Sequence, residues 1–577
     1  CQSVTMPALL PSSAQQSAKN KLQNRLNLIN RTTLMKNFSN TKRMLASLCT
    51  LFLVILLTTS CKNRIEELLD AIPADSDIVV VGDLNTIVES AGGSIEGSKV
   101  NLPSKVSDLI EKEAKDIDKM LSSLKSSGIN LQTCALVTNF KDERLTAIFK
   151  LDDKDKFLKF IESEEFNESS DENGIAIYEH SDNYYSDYFA INGSVAYFIP
   201  EVNNESDLKV ERYFSDFIDE ANSKSFRSTG MGKYIKEGNV GGISIKLPSD
   251  LRHQLARENV PSEITDMFRG YVCMRGSLNG NKAHITMKFF DDEGNQRTVE
   301  DLNGNVNLET PINRDALEYM HKDESLIYAV SIKDFDWKNF DKMVNSSNPS
   351  SDEQTALILV KSYLERIDGT IAVGLGLTNG FSSIETLNHP EHLDNDFAMT
   401  VVIEMKSGKA RSVINDIKAL LDNEPSFPYE NTSDGIRITI PNTRRGGYIT
   451  CLNVEEKGDF IVISNHNIKK GNSKMKDLDV DDKNLVLALN LPKSHKLMED
   501  LGIKDDVEMV LSTTPKDMEI ALDCTVGDSG ENGLISLIIK NGINMYESLN
   551  NYYRNKRKTE YYYEDYYGEE AIVEEYY

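Results

Sequence analysis

Residues 72–84 read IPADSDIVVVGDL, and residues 320–335 read MHKDESLIYAVSIKDF. Each is an acid-bearing polar turn that runs directly into a short apolar strand. Ile78 of the first lies 248 positions before Leu326 of the second. Working outward, the likeness continues in order. SKVSDLIEKEAKDIDKMLSSL precedes GINLQTCALVTNF, as SSDEQTALILVKSYLERI precedes DGTIAVGLGLTN. RLTAIFKLDDKDKFLKFIES then matches FAMTVVIEMKSGKARSVINDIKALL, a strand followed by an amphipathic helix. Phe157, Phe160 and Ile161 mark the apolar face of one helix; Val413, Ile417 and Leu420 mark that of the other.

Two further blocks close each half. NGIAIYEHSDNYYSDYFAINGSVAYFIPE matches DGIRITIPNTRRGGYITCLNVEEKGDFIVISN, with Gly174 against Gly435. VGGISIKLPSDL matches LVLALNLPKSHKL, with Leu247–Pro248 against Leu491–Pro492. The hairpins GYVCMRGSLNGNKAHITMKFF and EMVLSTTPKDMEIALDCTV follow. A period near 250 residues is far longer than a solenoid repeat of about 20–50. The expectation is therefore an α+β protein: two tandem copies of an antiparallel-sheet module with helices packed on one face. The first repeat is expected over 75–318 and the second over 319–549.

The N-terminal part differs in charge and composition. Of the 577 residues, the first 61 carry seven Lys/Arg and no Asp or Glu, whereas the chain as a whole has a formal net charge of −27. Lys36, Lys42 and Arg43 precede an apolar run ending LFLVILL, then TTSC with Cys61. That order is a secretory signal, and a run of about 14 residues is short against the roughly 20 that span a bilayer. Residues 35–60 resemble a bacterial lipoprotein signal peptide. The resemblance implies that Cys61 is the lipidated residue, carrying palmitate-type chains; Ser60 and Thr59 fit its pattern, and Thr58 stands where Leu is usual. Residues 1–34 are read as an upstream segment, untranslated or disordered, and 61–74 as a tether.

The signal ending TTSC, together with Ile72 to Gly92 (IPADSDIVVVGDLNTIVESAG), resembles the start of a family of large Bacteroidetes-type lipoproteins of unknown function. In that family such a turn opens a duplicated α+β module. The resemblance implies the cell envelope, an outer-membrane lipoprotein facing the periplasm more than the cell surface, and brings no catalytic residues.

A search for chemistry gives little. There is no CxxC, P-loop, GxGxxG or HExxH. Cys134, Cys273, Cys451 and Cys524 sit far apart in strand-like runs and read as single buried thiols, though spacing alone leaves a disulfide open. GDSGEN at 527–532 and DLDVDDKN at 477–484 read as turns rather than as a serine-protease nucleophile or a calcium loop. The best metal candidates are His389 and His392, close together in NHPEHLDND, where Pro390 rules out a helical pair. Tyr184 and Tyr185, among acids, are candidate contact residues. Residues 550–577, rich in Tyr and Glu, read as a disordered tail. So acidic a body repels nucleic acid, and no cofactor is implied. The functional expectation is a lipid-anchored, non-enzymatic protein that binds or assembles another envelope protein or glycan. The alternative is an envelope enzyme or small-ligand carrier with a site in the cleft between the repeats.

Overall fold

Alternation in IVVVGD makes Ile78–Asp83 a strand, β1, with Val79 and Val81 on one face and almost fully buried. β1 opens a long antiparallel sheet. In this computed structural model the described residues are 64–103, 107, 124, 127–140, 144–172, 174–181, 184–203, 209–248, 269–298, 310–322, 324–333, 361–376, 398–423, 426–442, 447–471, 477–527, 533–545 and 548. The chain divides into two units, Cys1–Leu56 and Leu57–Tyr577, and every element below belongs to the second.

After β1 come the small hairpin β2 (Ser94–Glu96) and β3 (Lys99–Asn101), then β4 (Ile129–Asn139), β5 (Arg144–Leu151), β6 (Asn167–Glu172) and β7 (Ile175–Ser181). They are followed by β8 (Tyr185–Asn192), β9 (Val195–Asn203), β10 (Gly241–Lys246), β11 (Tyr271–Asn279) and β12 (Lys282–Phe290). The rest of the chain adds β13 (Leu326–Ser331), β14 (Ile367–Gly376), β15 (Ala398–Met405), β16 (Tyr429–Asn431) and β17 (Gly435–Asn442). It ends with β18 (Gly447–Lys457), β19 (Phe460–Ser464), β20 (Leu485–Leu491), β21 (Val507–Thr514) and β22 (Glu519–Val526).

Among the described residues, twenty of these strands form one sheet. Followed through its pairings, the first run is β6-β7-β8-β9-β5-β4-β1-β10-β11-β12. The second run is β16-β17-β18-β19-β15-β14-β13-β20-β21-β22. Strand for strand the two orders are the same. β12 and β22 join the runs edge to edge, from Lys282↔Thr525 to Met287↔Ile520. The two runs are thus joined by a hydrogen-bonded ladder.

The strands of the first half carry apolar residues in near-continuous runs, so both sheet faces need cover. Val210–Ser223 (α4) packs Phe217 against Tyr197 of β9, whose ladder partner is Ala190. Lys154–Ser163 (α3) packs Phe157 edge-on at 5.3 Å against Phe189, the neighbour of Ala190 in β8. Adjacent strand residues point to opposite faces, so α3 and α4 lie on opposite sides of the sheet. In the second half Leu317 of α6 (Arg314–Leu317) joins the core with Phe460 and Val462 of β19, while Ile414 of α7 (Ala410–Asp422) joins Ile461 on the other face. Helices on one face only is therefore corrected to helices on both. In α7 the packed stripe is Val413, Ile414, Ile417 and Leu421, and Leu420 is 60% exposed.

The tether expected over 61–74 is corrected from residue 64 onward. Arg64–Asp70 forms α1, whose Ile65, Leu68 and Leu69 are almost fully buried, with Ile72 beyond it. They join Val79, Val81, Ala135 and Ile148 in the core. The RIEELLD period is helical, and its polar face is engaged. Arg227 pairs with Glu66 and, at 2.7 Å, with Asp70; Lys236 reaches Glu66 at 3.3 Å. Such surface pairs contribute about 0–1 kcal/mol, against about 1.5–3 kcal/mol for burying each Leu or Ile. Leu69→Ala should lower the unfolding free energy by about 2–5 kcal/mol in chemical denaturation; a tether would register less than about 0.5 kcal/mol.

Candidate functional site

The sequence-predicted residues do not converge on one place. Cys61, His389, His392 and the tail over 550–577 lie outside the described residues, as does most of GDSGEN. Tyr184 and Tyr185 stand at the start of β8, 74% and 40% exposed. Along DLDVDDKN, Leu478 and Val480 are buried while Asp477, Asp479 and Asp481 face outward, and Asp481 pairs with Arg314 at 2.7 Å. Through the Asp481 hydrogen bond first, Asp481, Asp479 and Asp477 together raise the Arg314 guanidinium above its usual value. Cys134, Cys273, Cys451 and Cys524 are free thiols. Burial pushes the thiols of Cys134 and Cys273 up to about 12, so neither is a nucleophile at neutral pH.

An open cleft of about 560 Å³ lies within the first half, between α4 and the turn after β12. Asp75, Asp216, Asp219, Glu220, Asp292 and Glu293 line it, with Lys224 the cation among the lining residues. Its field favours a cationic group and disfavours phosphate. Among the described residues, no three His, Cys, Asp or Glu side chains are placed to hold a metal ion.

The more unusual chemistry is in the second half, at the turn before β13. Glu324 is 3% exposed. Its Oε2 accepts from the His321 backbone N–H at 2.8 Å, and its Oε1 accepts no hydrogen bond among the described residues. His466 Nε2 lies 3.7 Å from Oε1. His466 follows β19; its Nε2 lies 2.9 Å from Thr400 Oγ1, and its Nδ1 lies 3.2 Å from the Asn467 carbonyl. The rings of His321 and His466 are 4.2 Å apart. Asn453 Nδ2 donates to the His466 carbonyl at 3.0 Å and Ser464 Oγ accepts from the His466 N–H at 3.1 Å, so the turn is fixed.

Comparison with the equivalent positions of the first half shows what is special here. In β1 and β4 Val79 pairs with Val137, and Val137 pairs with Thr146. In β13, β14 and β15 Ile327 pairs with Gly374, and Gly374 with Thr400. The buried threonine is common to both. Thr146 meets Tyr213 of α4 at 2.9 Å, where Thr400 meets His466. Ser76, whose hydroxyl donates to the Pro73 carbonyl at 2.9 Å, stands where Glu324 does. Gly374 takes the ladder position that Val137 has in the first run, and the Glu324 carboxylate lies against it. A Cβ at Gly374 would collide with that carboxylate and lie 2.7 Å from Met320 Sδ. At matching places of the two runs, Ser76 and Val137 thus stand beside Thr146, and Glu324 and Gly374 beside Thr400.

Sequence reading passed over this site because Glu324 looks like any acid in a polar turn. Gly374 inside the strand IDGTIAVGLG was the available signal, since glycine there marks a close approach.

No family model and no curated protein matches the chain. Solved structures that resemble it are crystal forms I and III of TP0453, at 12% identity in both cases. They cover 38% and 40% of this chain and 77% and 80% of that one, with TM-scores of 0.23 and 0.24.

Gly374→Ala should cost about 1–3 kcal/mol by overpacking. Combining Glu324→Ser with Gly374→Val, the pair that the first half uses, should recover most of the loss of either single change. Strictly additive costs in denaturation would contradict the coupling.

Proposed function

We propose that this chain is a lipid-anchored protein of a bacterial cell envelope, held through Cys61, that binds or assembles another envelope component without catalysing a reaction. The observation that carries the anchor is the basic segment, apolar run and TTSC at 36–61. The anchor is compatible with α1, which begins at Arg64, three residues after Cys61. Three extended residues reach about 10 Å, so the folded body would stand directly on the bilayer. No helix among the described residues is long and apolar enough to cross a membrane, which says nothing of strands.

Surface character supports binding over catalysis. Tyr328, Leu487, Leu511, Leu522 and Ile285 are successive ladder partners across β13, β20, β21, β22 and β12. They form one apolar row on a single sheet face, with Tyr328 39%, Leu487 37% and Ile285 41% exposed. Such a row suits contact with a macromolecule more than recognition of a small polar substrate. A small-ligand carrier is the second reading, and the acidic cleft of the first half favours it.

We also read the two runs of ten strands as tandem copies of one module, 75–318 and 319–549. Identical strand order, Ile78 against Leu326 and Gly174 against Gly435 support this reading.

In intact envelopes the wild-type protein should fractionate with membranes, take up labelled palmitate and cross-link to a discrete partner. Cys61→Ala should lose the label and the membrane fraction. Retention of both by the variant would remove the anchor, and the absence of any reproducible cross-link would turn the reading to the ligand carrier.

A further inference from the structure

Residues 534–545 form a helix, LISLIIKNGINM, with one charge, Lys540, and no acid. The chain around it carries 91 Asp and Glu. One face of this helix is committed to the joint between the two runs. Leu534 and Leu537 are almost fully buried there, with Val507, Cys524 and Val526 of the second run and Leu278 and Ala283 of the first. Asn541 on the same face is buried; its Nδ2 donates to Asp505 at 2.9 Å and its Oδ1 accepts from the Lys504 N–H at 3.1 Å. Lys540 reaches Asp505 at 3.4 Å from the polar flank.

The opposite flank is apolar and open. Ile535, Ile538, Gly542 and Met545 recur at i, i+3, i+7 and i+10, the spacing of one helical face. Ile538 is 48% and Met545 36% exposed, and Ile535 is half-buried. Met509 of β21, the ladder partner of Cys524, is also exposed. Leu534 and Leu537 already supply the packing against the joint, so the outer stripe is surplus to the fold.

What covers the stripe follows from where the chain is anchored. The lipid anchor proposed at Cys61, on which this inference rests, is three residues from Arg64 and so within about 10 Å of it. Arg64 opens α1. Glu67 of α1 pairs with Lys150 in the closing residues of β5. Glu66 pairs with Lys236 at 3.3 Å, where Gly230–Lys236 (α5) leads towards β10. In register this is the end of the sheet at which β1 finishes, since Gly82 pairs with Gly241, the first residue of β10. From there the chain enters Leu84–Ser90 (α2), about 10 Å long. The Ser90 hydroxyl accepts from the Ile535 N–H at 3.2 Å. The Leu534 N–H donates at 2.8 Å to the Gly280 carbonyl, in the turn between β11 and β12. The start of α1 and the helix over 534–545 therefore lie at one end of the sheet.

The geometry points to the bilayer surface as the occupant of the stripe: the helix over 534–545 lies in the lipid interface beside the anchor, with Ile535, Ile538 and Met545 turned into the acyl boundary. Twelve helical residues span about 18 Å, short of the roughly 30 Å of a bilayer core, so the helix lies along the surface. An amphipathic helix held in this way sinks its apolar side about 5–10 Å. With no carboxylate of its own, it meets an anionic leaflet without the repulsion that the acidic body feels. A lipid chain alone leaves the body free to swing; a second contact fixes its orientation and holds the joint of the two runs next to the membrane.

The test uses the lipidated protein purified from envelopes and placed in vesicles of phosphatidylethanolamine and acyl-brominated phosphatidylcholine. Ile538→Trp and Met545→Trp put a fluorescent probe on the stripe. Leu420→Trp, at a residue 60% exposed on α7, is the control, and wild type gives the background of Trp337. At a depth of about 5–10 Å the stripe probes should lose about half of their emission to brominated lipid and resist aqueous iodide. The probe at 420 should show the reverse. Stripe probes open to iodide, on protein that floats with the vesicles, would overturn this inference and leave the anchor standing. Probes shielded from both quenchers would place a protein on the stripe and overturn it as well. Wild type that does not float would remove the anchor and this inference with it. With two positions on the stripe, misfolding of one variant leaves the other to decide.

Discussion

The ladder between β12 and β22 is the contact on which the rest of the architecture depends. Each is the terminal strand of a ten-stranded run, eight or nine residues long, and each carries an apolar row that includes Ile285 or Leu522. Left unpaired, either would be a long, flat, sticky edge of the kind that recruits foreign strands. Paired with each other, they satisfy their backbone groups and continue the row from Ile285 to Tyr328 across the joint. The edges that remain are poorer templates. β6 reads NESSDE, acidic along its length, and β16 has only three residues.

Two runs with one strand order do not have to carry the same interior, and here they differ where it matters. The first half closes its core around Thr146 with Tyr213 from α4 and with Val137. The second half places a carboxylate and an imidazole at the equivalent end of the same strands. Burying an ionisable group without full pairing costs several kcal/mol, so an element of this type persists only where its surroundings compensate. Gly374, the His321 N–H and the fixed turn around Ser464 and Asn453 are those surroundings.

Much of the sheet was legible in the sequence because period-2 alternation and turn residues are local signals. Ile78, Leu326 and Gly435 open strands, and Gly174 is the turn residue directly before β7. The joining of the halves was not legible, since edge pairing between strands some 240 residues apart leaves no local mark. The packing of helices on both faces was underread: an apolar run such as IVVV is compatible with one covered face or two, and only the placement of α3 and α7 decides. Position after the signal suggests a tether at 64–70, but the i, i+3, i+4 apolar pattern of Ile65, Leu68 and Leu69 is that of a buried helix. The site at Glu324 needed three-dimensional register, because its meaning lies in Ser76 and Val137 standing at the equivalent places.

The joint can be tested with one substitution. Ala283 of β12 lies directly opposite Cys524 of β22, which is a free thiol. Directly opposed residues of an antiparallel pair have Cα atoms about 4.5–5.5 Å apart, within the range that a disulfide spans. In Ala283→Cys, mild oxidation should link residues 283 and 524, seen as one cross-linked peptide by mass spectrometry and absent from wild type. Failure to form that link in folded protein, with both thiols still titratable after unfolding, would contradict a continuous sheet through β12 and β22.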